Sequence, residues 1–406
     1  MLLKKIVRKK KMLKIKNIEK VAERIIKAVK NKEQIIIYGD SDLDGVASMV
    51  ILKETIDNLV SALPKKEKES FPKVLAFSPE RKNEGYGFND KALEFIKTKA
   101  IKGLIVTVDC GITNFKEIDE ANKSGFSVIV VDHHQPIGRV PNAEIVVAPK
   151  QEGDDYPFKD YCNAGLAFKL AQEILKEKMS KSLRINFLEL AALATIFDMM
   201  PEVDENEEII EEGLEKIELS QRPGLAAMFS LLNPMDYTSK RDMISRINSA
   251  LNSVAIENHV PKPYEFLIEN DFDKAKEMAK EFFEEHQKKI VSINNLTEEL
   301  REKIENGPAT SVIFEGSSIW DQEHLGSVAS RISLYFNRPT FLYRIKGDIS
   351  RGTVRVPKGL DAVKAMESCK KLLEVFGGHP PAAGFTVKNE NLEKFKECLK
   401  RYFEKK

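Results

Sequence analysis

The sequence is poor in cysteine and tryptophan and has no long apolar run. Its 406 residues include four cysteines and one tryptophan, and no stretch approaches the roughly 20 consecutive apolar residues of a membrane-spanning helix. The cysteines form no Cys-x-x-Cys pair, which argues against a zinc ribbon and a disulfide framework, so we expect free thiols. The first sixteen residues carry eight lysines and arginines without the apolar core of a secretory signal. We therefore expect a cytoplasmic protein without a membrane segment.

The sequence also lacks an excess of charge of either sign, because 64 basic and 63 acidic residues give a formal net charge of +1. This balance predicts no global attraction to a polyanion, so a nucleic-acid site would have to come from local clustering of basic residues. With 42% hydrophobic and 31% charged residues, the composition is that of a globular protein. Since single cores stop growing at about 250–300 residues, the length predicts two domains.

Apolar segments of strand length alternate with helical patterns in the first half of the chain. The first segment, 34–38, leads into an acidic loop at 39–45 and then into a helical pattern. Further apolar runs follow at Val74–Phe77, Leu104–Val108, Phe126–Val131 and Ile145–Val147. Continuous apolar strands between helices are typical of a mostly parallel sheet covered on both faces. The pattern predicts an α/β domain with ligand-binding loops at the carboxyl ends of its strands.

A change of pattern near residue 306 predicts a second domain. Apolar residues keep helical spacing from Ala275 to Ile304, which indicates a long linker helix. After Gly307 and Pro308, strand-like segments alternate with helices, as in a smaller α+β domain. The predicted divisions are a basic amino-terminal segment and helix (1–32), the α/β domain (33–225), a helical region with the linker helix (226–306) and the α+β domain (307–406).

Acidic residues and histidines lie at the ends of the predicted strands. They are Asp40, Asp42 and Asp44 after the first strand, Asp109 and Asp132-His133-His134 after two later strands, and Asp198 at a helix end. Like charges this close repel one another unless a cation neutralises them. An isolated Asp-x-Asp-x-Asp-Gly loop is equally typical of an Asx-rich turn or a helix N-cap. Four such clusters in one domain are hard to explain as caps alone.

The mixture of carboxylates and imidazoles indicates a site for divalent metal ions. These donors suit manganese or magnesium better than structural zinc, which favours cysteine. Several shared carboxylates suggest two ions about 3.5–4 Å apart, the arrangement that activates water and stabilises in-line displacement at phosphorus. Phosphoester hydrolysis is therefore the first functional hypothesis.

Five segments of the α/β domain resemble the motifs of a known enzyme family. They are Tyr38–Gly45, Val108–Asn114, Asp132–His134, Cys162–Lys169 and Ala194–Asp198. In this order they are similar to motifs of the DHH phosphoesterases, in particular the RecJ-like single-strand nucleases of the compact archaeal type. The resemblance implies a catalytic domain with two divalent ions, manganese being expected first and magnesium or cobalt being alternatives. It implies metal ligation by Asp42, Asp44, Asp109, His133 and Asp198, and catalytic roles for His134, which orients the site or stabilises phosphate charge, and for Asp40, as ligand or support.

The α+β domain resembles the DHH-associated substrate domain in the segments Leu325–Arg331, Arg351–Arg355 and Gly377–Gly384. From the residues alone, two arginines four positions apart on one strand can meet phosphate oxygens, and a Gly-Gly-His run lets backbone approach a phosphate or base. A tight turn with solvated arginines is the structural alternative. The resemblance implies that the substrate-binding residues are Arg331, Arg351, Arg355, Gly377, Gly378 and His379.

Three departures from the family pattern leave the direction of digestion and the preferred sugar open. The Gly-Arg pair of bacterial relatives is absent from 246–253, and Tyr38 stands where relatives often carry histidine. The chain also lacks room for the extra oligonucleotide-binding domain of bacterial RecJ. These departures resemble the compact archaeal members of the family.

The sequence predicts a metal-dependent exonuclease that degrades single-stranded DNA or RNA to mononucleotides in replication, repair or RNA turnover. Single-stranded nucleic acid is the expected partner, together with a replication protein, and the oligomeric state stays open. One alternative is an oligoribonuclease or cyclic-dinucleotide phosphodiesterase, whose first motif has Asn-Pro where this chain has Asp40-Ser41. The other is a non-catalytic replisome scaffold, whose relatives have lost the acidic motifs that are intact here.

Overall fold

The structure, a computed structural model, describes residues 13–85, 87–253 and 256–404. The predicted basic segment therefore lies outside the described residues as far as residue 12. The chain forms two compact units, the first ending at Glu285 and the second beginning at His286. The four-part division made from the sequence stays a prediction.

A five-stranded parallel sheet forms the centre of the first unit. Its strands are β1 (Ile35–Gly39), β2 (Leu75–Phe77), β3 (Gly103–Val108), β4 (Phe126–Val131) and β5 (Ile145–Val147). They lie in the order β2-β1-β3-β4-β5, and every neighbouring pair is parallel. Ile35 and Ile37 face one buried cluster, whereas Ile36 and Tyr38 face the other. The predicted parallel sheet with two covered faces is confirmed.

Helices surround this sheet. Those described in the first unit are α1 (Ile18–Lys30), α2 (Leu43–Ser61), α3 (Lys65–Glu69), α4 (Arg81–Glu84), α5 (Asp90–Lys99), α6 (Phe115–Lys123), α7 (Asn163–Leu175), α8 (Lys181–Phe197), α9 (Glu205–Leu214), α10 (Pro223–Leu231), α11 (Lys240–Leu251) and α12 (Lys262–Ile268). A two-stranded hairpin, β6 (Ile256–Glu257) and β7 (Val260–Pro261), precedes α12. Several helices begin directly after a strand end, which brings their first turns to the carboxyl edge of the sheet.

The predicted long helix is present as α13 (Phe272–Glu305), a helix of 34 residues. Ala275, Ala279 and Phe282 near its start are buried in the core of the first unit. Leu296 and Leu300 near its end are buried in a cluster of the second unit. No helix in the described part of the chain is long and apolar enough to cross a membrane.

The second unit contains a mixed sheet with helices on both faces. Its strands are β8 (Ile313–Ser317), β9 (Thr340–Lys346), β10 (Ile349–Arg355), β11 (Leu373–His379) and β12 (Ala382–Lys388), in the order β11-β12-β10-β9-β8. Only β8 and β9 are parallel neighbours. The helices are α14 (Gln322–Phe336), α15 (Ala362–Ser368) and α16 (Leu392–Phe403). Helix α14 packs on one face through Leu342, while α15 and α16 pack on the other through Phe341 and Phe385. The predicted α+β domain is confirmed.

The expectation of four free thiols is wrong for two of the cysteines. Cys369 and Cys398 form a disulfide with their Cα atoms 6.1 Å apart, because the fold brings the end of α15 beside α16. Their separation of 29 positions carries no signal in the sequence. Cys110 and Cys162 are free, as expected, and both are buried.

Candidate metal centre

The acidic residues predicted at strand ends meet at one edge of the parallel sheet. Asp40, Asp109 and Asp132 follow the last residues of β1, β3 and β4. The register pairs these last residues with one another, so the three strands end at the same level. The carboxyl edge of a parallel sheet is where ligands bind in this class of fold.

Asp42 and Asp44 are held by the first turns of two helices. Asp42 is the N-cap of α2, and its side chain accepts a hydrogen bond from the Gly45 amide at 3.2 Å. Both carboxylate oxygens of Asp44 accept backbone N–H groups at the start of α7, from Asn163 at 2.6 Å and Ala164 at 2.7 Å. The N-cap alternative therefore describes Asp42 correctly, and it does not remove this residue from the cluster.

The two histidines present their rings in different ways. Nδ1 of His133 lies 2.9 Å from the Tyr161 carbonyl oxygen and donates to it, which leaves Nε2 facing the acidic residues. Nδ1 of His134 lies 2.8 Å from a carboxylate oxygen of Asp132, and the other oxygen of that carboxylate accepts the Ile112 amide. Asp132 thus orients His134 and is itself held by the backbone.

Three overlapping sets of ligand atoms lie close enough to hold metal ions, each set within 4.8 Å. The sets are Asp109, His133 and His134; Asp44, His133 and Asp198; and Asp40, Asp42 and Asp109. We call these side chains together the acidic centre. The structure therefore brings together every residue that the sequence predicted as a metal ligand or catalytic group, and the role of each stays a prediction.

The acidic centre is electrostatically strained in the absence of a cation. Burial, followed by the charge of Asp198, raises the pKa of Asp44 to about 8. Burial and the charge of Asp42 raise the pKa of Asp198 to about 6. The pKa of Asp109 lies well above its ordinary value for the same two kinds of reason. Burial and mutual repulsion both disfavour the ionised carboxylates, and a bound cation relieves both.

The contact between His133 and Asp109 fits a shared cation. Burial lowers the pKa of His133 to about 4, so its ring is neutral near pH 7. Since Nδ1 carries the proton, Nε2 presents a lone pair to Asp109 Oδ1 at a distance of 3.2 Å. That oxygen is buried and has no hydrogen-bond partner among the described residues. Two acceptors that face each other in this way fit a divalent ion between them.

Arg81 belongs to this site although no motif pointed to it. Its Nη2 lies 2.7 Å from Asp40 Oδ1 and 3.0 Å from Asp42 Oδ2. Burial raises the pKa of Asp40, and the charge of Arg81 opposes that rise. The usable signal was topological, because Arg81 follows β2, which pairs with β1 and ends at the same edge of the sheet.

A second residue without a motif supports the helix that carries Arg81. His259, in the turn between β6 and β7, has Nε2 at 3.6 Å from Oε1 of Glu84 in α4. Its ring stacks on Phe95 with the centroids 4.0 Å apart, and its carbonyl accepts the Ser78 amide. The hairpin therefore braces α4 beside the acidic centre.

The predicted substrate-binding residues lie in the second unit and only some share a surface. Arg355 in β10 and His379 in β11 are both in register with Ala382 of β12, which lies between them. Arg351 lies on the same face of β10 and is exposed. Arg331 instead donates to the side chain of Asn294 in α13 at 2.5 Å.

The glycines predicted to contact substrate differ in what the fold requires of them. Gly378 has a φ of +138°, and a Cβ there would lie 2.6 Å from the Ala382 carbonyl oxygen, so glycine is needed for structure. A Cβ at Gly377 would meet nothing within 4 Å. Packing therefore gives no reason for glycine at position 377.

Comparison with protein families finds two matches along this chain. Residues 34–195 match the model of the DHH family, N-terminal domain, and residues 309–405 match that of the DHHA1 domain. The single-stranded-DNA-specific exonuclease RecJ of Bacillus subtilis is 33% identical over 95% of this chain and 47% of its own length. The RecJ of Thermus thermophilus is 30% identical over 96% of this chain and 55% of its own. The chain thus spans about half the length of these curated relatives.

Solved structures give the same result for the fold. The crystal structure of exonuclease RecJ bound to manganese superimposes with a TM-score of 0.80 at 28% identity, covering 97% of this chain and 96% of that chain. RecJ of Thermus thermophilus in complex with Mn²⁺ also gives 0.80, at 26% identity, covering 97% of this chain and 56% of that one. The similarity therefore extends across both units of the chain.

Proposed function

Since the chain belongs to the DHH family and also carries a DHHA1 domain, we propose that it is a metal-dependent exonuclease that hydrolyses single-stranded DNA, single-stranded RNA or both to mononucleotides. The observation that carries the proposal is the convergence of buried carboxylates and imidazoles at one sheet edge, with an unsatisfied Asp109 oxygen facing an imidazole nitrogen. Such a centre suits hydrolysis at phosphorus. The proposed setting is DNA replication and repair or RNA turnover.

The proposal includes two divalent ions held by the predicted ligands Asp42, Asp44, Asp109, His133 and Asp198. Manganese is proposed first, with magnesium or cobalt as alternatives, because similar RecJ structures contain Mn²⁺ or Mg²⁺ and mixed oxygen and imidazole donors suit these ions. Bound ions would polarise the phosphoryl group and lower the pKa of a water molecule. Asp40 supports the ligand set from the edge of the site through its pairing with Arg81.

His134 and Arg81 are the groups of this chain proposed to meet the phosphate. The hydrogen bond that His134 donates to Asp132 raises the pKa of His134, which favours the protonated ring as a donor. Arg81 presents a forked donor beside Asp40 and Asp42, a geometry that also matches phosphate oxygens. Both side chains can therefore hold negative charge that develops on the reacting group.

The decisive assay uses single-stranded DNA and RNA labelled at one end and incubated with manganese, magnesium or a chelator. We expect mononucleotide products with metal and none with chelator. Asp109→Asn should abolish hydrolysis, whereas Asp155→Asn, a matched change at an exposed loop carboxylate, should leave it intact. Full hydrolysis by the Asp109→Asn protein, or in excess chelator, would refute the metal-dependent mechanism.

Two further predictions belong to the same proposal. A nuclease of replication, repair or RNA turnover meets its substrate in the cytoplasm, which supports the location predicted from the sequence. A replication protein as a second partner is proposed from the family resemblance. Co-purification of tagged chain with replication proteins, before and after nuclease treatment, tests for a contact that does not depend on nucleic acid.

A further inference from the structure

One face of the second sheet carries an arginine pair that has no ion-pair partner among the described residues. Arg344 of β9 lies directly opposite Arg351 of β10, so both side chains are on the same face. Among the described residues neither guanidinium takes part in a hydrogen bond or ion pair, and Nε of Arg344 is buried without a partner. Like charges directly opposite each other destabilise a sheet. An anion bound at this position removes that cost.

The pair lies at a fixed distance along the sheet from Arg355 and His379, two of the substrate-binding residues predicted from the sequence. Arg355 and His379 share one level of the sheet, and Arg344 and Arg351 share another, four residues further along β10. At the usual rise of a strand this is about 13 Å between Cα atoms. Arg355 is held near its own level by hydrogen bonds to Ser330 and to its neighbour Thr353. An anion between Arg344 and Arg351 is therefore a different group from one held at Arg355.

On strands β11 and β12 the level between the two cationic positions carries no side chain, whereas Leu342 of β9 and Thr353 of β10 carry theirs there. Thr353 of β10 is in register with Gly384 of β12, which is in register with Gly377 of β11. A Cβ at Gly377 would meet nothing within 4 Å, and one at Gly384 would meet only the Gly352 carbonyl at an ordinary 3.6 Å. The fold itself therefore does not require glycine at either position. The bare backbone at Gly377 and Gly384 leaves room for a sugar or base beside the arginine levels.

We infer that this face holds at least two phosphates of one strand. One lies at the level of Arg355 and His379, which we call the proximal site, and another lies between Arg344 and Arg351, which we call the distal site. The inference rests on the proposed function and specifies its substrate class as an oligonucleotide long enough to reach both levels. We call Arg344, Arg351, Arg355 and His379 the basic face. A dinucleotide can occupy the proximal site only, so Arg344 and Arg351 add nothing to its binding affinity.

The test compares binding of labelled oligodeoxythymidylates of 2, 4 and 12 nucleotides in chelator, where binding is measured without cleavage. Arg344→Ala should weaken binding of the 12-mer about tenfold or more, as expected for loss of a charged hydrogen bond, and leave the dinucleotide unchanged. Lys364→Ala removes the same charge from α15 on the opposite face of the sheet and should change neither. Equal losses for the dinucleotide and the 12-mer, or no loss for the 12-mer, would overturn the inference.

Salt dependence and a glycine variant provide independent readouts. The slope of log affinity against log salt for the 12-mer should fall by about 0.7 for each phosphate that the variant no longer binds, and Arg344→Ala combined with Arg351→Ala should lower it further. Gly384→Ala should keep the thermal midpoint of the protein and weaken binding of the 12-mer. An unchanged slope in the double variant would show that no phosphate is held there.

The same samples separate this inference from the proposed function. Hydrolysis of the 12-mer with manganese tests the exonuclease, while binding in chelator tests the distal site. A wild-type protein that cleaves but shows no length-dependent loss on Arg344→Ala retains its proposed function and loses the distal site. A protein that binds with the expected length dependence but never cleaves keeps the site and loses the exonuclease.

Discussion

In the first unit acidic groups are buried close together, whereas in the second unit arginines lie along a partly exposed sheet face. Each member of the acidic centre is held by a strand end, a helix terminus or a backbone hydrogen bond, as Asp44 is by two amides of α7. The basic face has no such fixing beyond strand register and the hydrogen bonds of Arg355. Precise placement therefore coincides with the proposed chemistry, and looser placement with the proposed binding of a flexible strand.

The largest expected effect is on hydrolysis when a ligand of the acidic centre is removed. His133→Ala should lower the rate by more than the roughly 10–100-fold that follows loss of an outer-shell partner, because Nε2 faces Asp109, Asp198 and Asp44 directly. Steady-state rates with manganese measure this. His324→Ala in the second unit is the control and should cleave normally. Ordinary turnover by the His133→Ala protein would contradict the assignment of hydrolysis to the acidic centre and of binding to the basic face.

The next largest effect concerns the stability of the second unit, which contains the disulfide. Removing the disulfide with Cys369→Ala and Cys398→Ala should cost about 3.5 kcal/mol of unfolding free energy, the chain-entropy value for a closed loop of this length. Denaturant unfolding followed in the second unit measures it. Wild-type protein treated with a thiol reductant should lose the same amount, and the double variant should not respond to the reductant. A reductant-sensitive double variant would contradict the assignment.

The pH dependence of metal-free stability should come from the acidic centre. Asp44 has a folded pKa of about 8, well above its unfolded value, so the folded state binds the extra proton and stability is lost as pH rises. Between about pH 6.5 and 8 we expect a fall of about 2 kcal/mol. Below this range His133, with its lowered pKa of about 4, acts in the opposite direction. Denaturant titrations in chelator at pH 6.5 and 8 measure the fall, and Asp44→Asn should reduce it, with the remainder coming from Asp109, whose pKa is also raised.

The smallest effect should appear on binding when the basic face is altered. Arg355→Ala should weaken single-strand binding about tenfold, because a charged hydrogen bond to phosphate contributes about 1.5–3 kcal/mol. Cleavage of a small activated phosphodiester should be unchanged, since its hydrolysis requires the acidic centre and not the basic face. Parallel binding and cleavage measurements give both values. A matching loss in both assays would remove the separation of roles.

The parts of the site that could be predicted are those that recur as contiguous motifs at strand ends. Asp40 and Asp109 directly follow apolar strands and His133 lies one residue further after a third, so their meeting at one edge follows from the parallel topology. Arg81 was missed because it lies in a short helix between strands and pairs only through space. Arg344 was missed because nothing in the sequence gives the register that sets it opposite Arg351.

The fold was predictable where the apolar pattern of a segment is strong. It was not predictable where glycines or tertiary contacts determine the structure. The strands of the parallel sheet are continuous apolar runs, which is why their order along the chain was recovered. Strand β11 has no strong apolar pattern in the sequence, because its end contains Gly377 and Gly378. The disulfide escaped prediction because two helices meet through the tertiary fold and not through any spacing of cysteines.

The division between the units, which falls within α13, gives the chain a definite order of assembly during synthesis. Every residue of the acidic centre precedes residue 199, and every strand of the second sheet follows residue 312. Because domains fold as they emerge from the ribosome, with the amino-terminal one first, the first unit can fold around its parallel sheet before the second sheet has been translated. A nascent chain therefore completes the proposed metal site before it forms the proposed strand-binding face.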